Sequence, residues 1–93
     1  MAKVWRKEHP FPWICNDSED DFRADMGEYL LRVEHMDTGH WWWRVYYMEE
    51  AIPTELNEHA TTRDNAIGRA EGVYLAHKLM NNKNEIRFFK SSI

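Results

Sequence analysis

Cysteine occurs once in this chain, at Cys15, so no disulfide can close within it. That usage fits a reducing compartment, and a cytoplasmic location is the expectation. Long apolar runs are missing as well. Nothing approaches the 18 or so consecutive apolar residues of a membrane span, and the N-terminus has no apolar signal-peptide core. The chain therefore reads as neither secreted nor membrane-spanning, and no membrane is expected as partner. Basic charge is not in excess: the formal net charge is −4 and the pI about 5.7. This argues against a general polyanion binder but leaves room for a local basic face. Catalytic signatures are absent too. There is no Gly-rich phosphate loop, no nucleophile elbow and no HExxH. The five histidines show no zinc-ligand spacing, and the acidic stretch 17–25 lacks the central Gly and terminal Glu of a calcium loop. The expectation is a protein that is not an enzyme and has no metal or other cofactor.

What the chain does have is aromatic residues. Its 93 residues allow one domain, 1–93, and five of them are tryptophan. A fully buried large aromatic removes about 150–250 Å² from water, so a few can supply much of a small core.

The richest stretch is 28–49. Two strand-like runs, 28–36 and 40–49, flank Asp37-Thr38-Gly39. A three-residue hairpin loop favours Gly at its third position, where the backbone turns left-handed. With that loop Val33 faces Trp43, Leu31 faces Val45, Tyr29 faces Tyr47 and His35 faces Trp41, an almost wholly apolar face. The opposite face pairs Glu34 with Trp42, Arg32 with Arg44, Leu30 with Tyr46 and Glu28 with Met48. A slip of one residue would mix Arg32 and Arg44 into the apolar set. Trp41, Trp43, Val45 and Tyr47 are thus expected inside, and Trp42, Arg44 and Tyr46 outside.

A helix is expected over 62–80, capped by Thr61, with Ala66, Ile67, Ala70, Val73, Tyr74, His77 and Met80 on one face. His77 would be placed to hydrogen-bond to the hairpin. The run 81–84 is expected to end the helix, and 85–90 to form a last strand. Residues 3–15, interrupted by Pro10 and Pro12, read as one short edge strand or extended arm, 16–27 as an acidic loop, and 50–60 as a connection with room for a helical turn. The fold class is α+β: a small, mostly antiparallel sheet built on a Trp-rich hairpin, with one long helix on one face.

Three surfaces invite function. The outer hairpin face mixes Arg32, Trp42, Arg44 and Tyr46 with Leu30 and Met48, a composition enriched at binding hot spots. Its competing explanations are cover by the N-terminal arm, and base stacking on Trp42 and Tyr46. The acidic residues Asp17, Glu19, Asp20 and Asp21 form either a solvated loop or a dock for a basic partner. Gly68, Gly72, Leu75 and Leu79 line the helix opposite its core face. Two mid-helix glycines cost about 1 kcal/mol each against Ala, so a close neighbour is expected there, either a second copy or this chain's own arm.

The stretch HWWWRVYYMEEAIPTELNEHATTRDNAIGRAEGVYLAHKL resembles the aromatic strand and following helix of short phage and prophage accessory proteins. That resemblance implies a host protein or protein complex as partner, including a defence complex. It carries over no functional residue. The leading expectation is a non-catalytic protein–protein interaction module, a phage-type inhibitor in its most specific form. The alternative is a single-stranded nucleic-acid binder using Trp42, Arg44 and Tyr46.

Overall fold

The computed structural model describes residues 3–5 and 11–91, with backbone alone at Lys3 and at 82–91. Seven short strands form one antiparallel sheet: β1 (Lys3–Val4), β2 (Trp13–Cys15), β3 (Asp21–Met26), β4 (Tyr29–Asp37), β5 (His40–Tyr47), β6 (Glu50–Ala51) and β7 (His59–Ala60). They meander in order from β1 to β6, and β7 pairs with β5 next to β6. One helix, α1 (Arg63–Ser91), lies on one face.

The central hairpin has the expected register. Tyr29 pairs with Tyr47, Leu31 with Val45, Val33 with Trp43 and His35 with Trp41, and an irregularity between His35 and Asp37 marks the bulge at the loop. Gly39 has φ 72° there, a conformation that side chains with a Cβ rarely adopt. Val33, Trp43 and Val45 are at most 1% exposed, while Trp41 and Tyr47 are partly buried against the same core.

The acidic stretch contains a strand that was expected to be loop. Asp21–Met26 alternates in burial, and both Phe22 and Ala24 are fully buried. Phe22 pairs with Val33, and Ala24 with Leu31. Two apolar residues at a spacing of two suffice once a buried neighbour strand is available, because cross-strand burial outweighs a polar composition. The N-terminal stretch supplies two strands rather than one. The connection 50–60 supplies β6 and β7 where a helical turn had room. Together these strands fill both edges of the hairpin.

That occupancy bears on the C-terminus. Residues 85–90, expected as a strand, belong to α1. The hairpin offers them no free edge. No Gly or Pro follows Gly72, and an Asn in a helix interior costs well under the roughly 1 kcal/mol of Gly, so nothing stops the helix at 81–84. The cap is Thr62 rather than Thr61: its Oγ1 accepts from the Asn65 N–H at 3.1 Å, three residues on, as capping requires.

Helix and sheet meet through Ala66, Ile67, Ala70 and Tyr74, all buried. Met80, expected in that face, is 57% exposed. At about 100° per residue Met80 falls at the rim of that face, and Asn81, one residue on, takes the inward position. Polar contacts follow along the helix: Tyr29 Oη lies 2.8 Å from His77 Nδ1, and Asn81 Nδ2 donates to Tyr29 Oη at 3.5 Å. Both fully buried indoles are satisfied, Trp13 Nε1 donating to Glu71 Oε2 and Trp43 Nε1 to the Asn57 carbonyl, each at 2.8 Å.

Two outcomes are expected. Trp43→Ala removes a dry side chain and should cost about 3–5 kcal/mol in urea unfolding, whereas Trp42→Ala should cost under about 1.5 kcal/mol. Equal losses would contradict the strand parity. Burial pushes the Tyr29 phenol above its ordinary value of 10.0, helped by Tyr47 and Tyr74. A raised folded-state pKa means that the folded form holds the proton longer, so stability is full below pH 10 and falls as pH rises beyond it. Alkaline unfolding should start at higher pH in Tyr29→Phe.

Candidate interaction face

The sheet face turned away from α1 is built by the residues between the buried ones. Cross-strand pairing places Arg23 beside Arg32 and Arg32 beside Arg44, with Ile14 and then Val4 continuing the row beyond Arg23. A second row runs Asp21, Glu34, Trp42 and His59. A third runs Asp25, Leu30, Tyr46 and Ala51. The expected residues Arg32, Trp42, Arg44 and Tyr46 thus come together on one face.

Three adjacent arginines repel, and like charges directly opposite each other destabilise a sheet. Two of them are answered locally. Arg44 Nη2 donates to both carboxylate oxygens of Glu58, at 2.7 and 2.8 Å. Those hydrogen bonds raise the Arg44 pKa further, against a smaller lowering by burial. Arg32 Nη2 donates to Glu34 Oε1 at 3.2 Å and lies 3.9 Å from Asp21 Oδ1. Trp42, in the next row, lies near both cations, with the Arg44 guanidinium carbon 5.4 Å and that of Arg32 5.8 Å from its ring centre, within the range of cation–π attraction. Arg32, Trp42, Arg44 and Tyr46 are all half-buried, with Arg23 exposed.

The N-terminal arm does not cover this face among the described residues. Trp5, Phe11 and Trp13 pack on the core side, Trp5 edge-on to Phe22 at 4.9 Å and Phe11 edge-on to Tyr74 at 5.5 Å. An open groove of about 660 Å³ lies at the turn end of the face. Leu30, Tyr46 and Met48 line it together with Arg32, and Asp25, Glu28 and Glu49 stand around them. Met48 and Glu49 form the tight turn into β6 with φ 51° and 71°. Two residues with a Cβ in the left-handed region store about 1 kcal/mol or more each, and Met48 is held 61% exposed.

The acidic residues divide. Asp21 belongs to the face through Arg32. Asp20 is tied into the turn between β2 and β3: its side chain accepts from Asn16 Nδ2, its N–H donates to Asn16 Oδ1 at 3.0 Å, and its carbonyl accepts from the His35 N–H at 2.7 Å. Asp17 and Glu19 are exposed in that turn. Gly68, Gly72, Leu75 and Leu79 sit on the far side of α1, away from the sheet, with the leucines 56% and 57% exposed. The sequence reading missed Arg23 and Glu58. Arg23 was legible in the alternation DFRADM; Glu58 was not, since only the return of β7 brings it to Arg44.

Among the described residues no three His, Cys, Asp or Glu gather to hold a metal ion, and no helix is long and apolar enough to cross a membrane. No protein-family model, curated protein or solved structure matches the chain.

The Arg44–Glu58 pair is about one-third to one-half exposed. A double-mutant cycle with Arg44→Ala and Glu58→Ala should give a coupling of about 0.5–1 kcal/mol at low salt that shrinks at about 0.5 M NaCl. A coupling that ignores salt would show that the pair is not an exposed ion pair.

Proposed function

We propose that this chain is a non-catalytic protein-interaction module that takes its partner on the outer sheet face. The observation that carries the reading is Trp42 held half-buried within cation–π range of both Arg32 and Arg44, beside an open groove lined by Tyr46 and Met48. Indole, guanidinium and phenol groups offer large contact areas at low entropic cost and dominate binding hot spots. Here the side chains are already ordered by contacts within the sheet, which lowers what association must spend. Asp21 and Glu34 set negative charge beside the arginines of the same face, suiting a partner of mixed sign. The phage-type resemblance gives the reading its most specific form, an inhibitor of a host protein or defence complex.

A second reading has one observation in its favour. The row Arg23, Arg32 and Arg44 next to Trp42 is a basic strip with a stacking platform, which is what single-stranded nucleic acid needs. The net charge of −4 works against it.

Immobilised protein, exposed to lysate of the source or its host, should retain a partner that Trp42→Ala and Arg44→Glu each lose by about tenfold or more. Near-ultraviolet circular dichroism should report an unchanged fold. Retention indifferent to both changes would overturn the proposal. In parallel, short oligonucleotides titrated at about 50 mM salt decide the second reading: binding that weakens steeply with salt supports it, and no binding removes it.

A further inference from the structure

The turn end of the outer sheet face gathers charge of one sign. Gly27 and Glu28 carry the chain from β3 into β4, and Met48 and Glu49 carry it from β5 into β6. Because Tyr29 pairs with Tyr47, both turns fall at the same end of the hairpin, where the Met48 N–H donates to the Glu28 carbonyl at 2.9 Å. Asp25 lies alongside on β3, across from Leu30. Three carboxylates, those of Asp25, Glu28 and Glu49, thus stand around one groove.

Their charges are not paired within the described chain. Asp25 Oδ1 accepts from the Gly27 N–H at 3.2 Å, a neutral donor that leaves the charge in place. Among the described residues the carboxylates of Glu28 and Glu49 have neither an ion pair nor a hydrogen bond. Arg32, the cation among the groove's described residues, is already held by Glu34 at 3.2 Å. On the helix, the Lys78 ammonium donates to Tyr74 Oη at 3.1 Å.

The groove between these acids is apolar. Leu30 and Tyr46 pair across β4 and β5 as its floor, and Met48 stands 61% exposed beside them. A metal ion would leave that floor unused, and no described cluster here is built to hold one. An apolar floor ringed by acids is complementary to a cation at the end of a hydrocarbon stem. Lysine is that group: its four-carbon stem covers apolar surface while the ammonium keeps polar surroundings. The ammonium also has three donors that point apart, which suits carboxylates spread over two turns. The planar fork of arginine is suited instead to one carboxylate taken bidentately.

We infer that the groove is a subsite for a lysine side chain of the protein partner. The stem lies on Leu30, Tyr46 and Met48, and the ammonium sits among Asp25, Glu28 and Glu49. The inference rests on the protein-interaction reading of this face and adds the chemistry of one contact.

Amide proton–nitrogen correlation spectra of the full chain, titrated with the peptide acetyl-Ala-Lys-Leu-Lys-Ala-amide to about 10 mM, test it. The amides of Leu30, Tyr46 and Met48 should shift together, with a dissociation constant of about 1 mM. Matched peptides with glutamine or glutamate in place of lysine should bind about tenfold or more weakly, and Glu28→Gln/Glu49→Gln should weaken the lysine peptide to the same degree. Both residues are exposed, so the fold should be kept, and the dispersion of the same spectra reports it. No shift at those amides, equal shifts with the glutamine peptide, or binding indifferent to the double change overturns the inference. The two readings fail separately. A captured partner lost by Trp42→Ala and Arg44→Glu but retained in full by Glu28→Gln/Glu49→Gln would strike the lysine subsite and leave the face. Lysine-peptide binding in a chain whose partner ignores Trp42 and Arg44 would strike the face and leave the subsite.

Discussion

Phe22, Val33 and Trp43 lie side by side across three strands, each at most 1% exposed, and the rest of the molecule depends on that row being dry. A strand turns successive side chains to opposite faces. Once Trp43 is committed to the interior, Trp42 and Arg44 are committed to the other side, and so are Arg32 and Arg23 on the neighbouring strands. The surface chemistry is therefore a geometric consequence of the core. Moving the register by one residue would bury guanidinium groups under α1, at a desolvation cost far beyond what a domain of this size can absorb.

The same constraint explains the flanking charges. A core demanding alternate residues on β3, β4 and β5 leaves three arginines abreast, and they must be offset by what stands around them. Glu34 does this from within the sheet, at the next outward position of β4. Glu58 does it from outside, delivered by the segment that returns as β7. The Asp21 Oδ1 and Arg32 Nε atoms are buried without a hydrogen-bond partner. Asp21 thus acts on Arg32 by charge alone, at 3.9 Å, whereas Glu34 and Glu58 hydrogen-bond to their arginines.

Strand parity was legible in the sequence because the hairpin contains its own reference. Gly39 fixes the turn, and one register alone gathers Tyr29, Leu31, Val33, Trp43, Val45 and Tyr47 on one side. His77 against the hairpin was legible by the same reasoning carried onto a helix. What escaped shares a cause. Asp21–Met26, β6 and β7 have little strand propensity of their own and are strands because β4 and β5 offer unpaired edges. The reading of 85–90 failed for the converse reason: Ile86, Phe88 and Phe89 suit a strand, but those edges were taken. Arg23 and Glu58 were lost from the candidate face along with the strands that carry them. Local pattern finds the elements that nucleate a sheet, while the elements recruited to its edges are decided by pairing over distance.

The length of α1 is the feature that the sheet does not account for. Covering Leu31, Val33 and Val45 takes the stretch from Ala66 to His77, and the helix continues for more than three further turns. The contacts that fix its near end are Ala66, Ile67, Ala70 and Tyr74, buried against the sheet, with His77 and Asn81 reaching Tyr29. Register and helix placement therefore meet in one residue: Tyr29 pairs with Tyr47 in the hairpin and stands edge-on to Tyr74 of the helix at 4.8 Å. A slip of the hairpin by one residue would turn Tyr29 away from α1 and remove both.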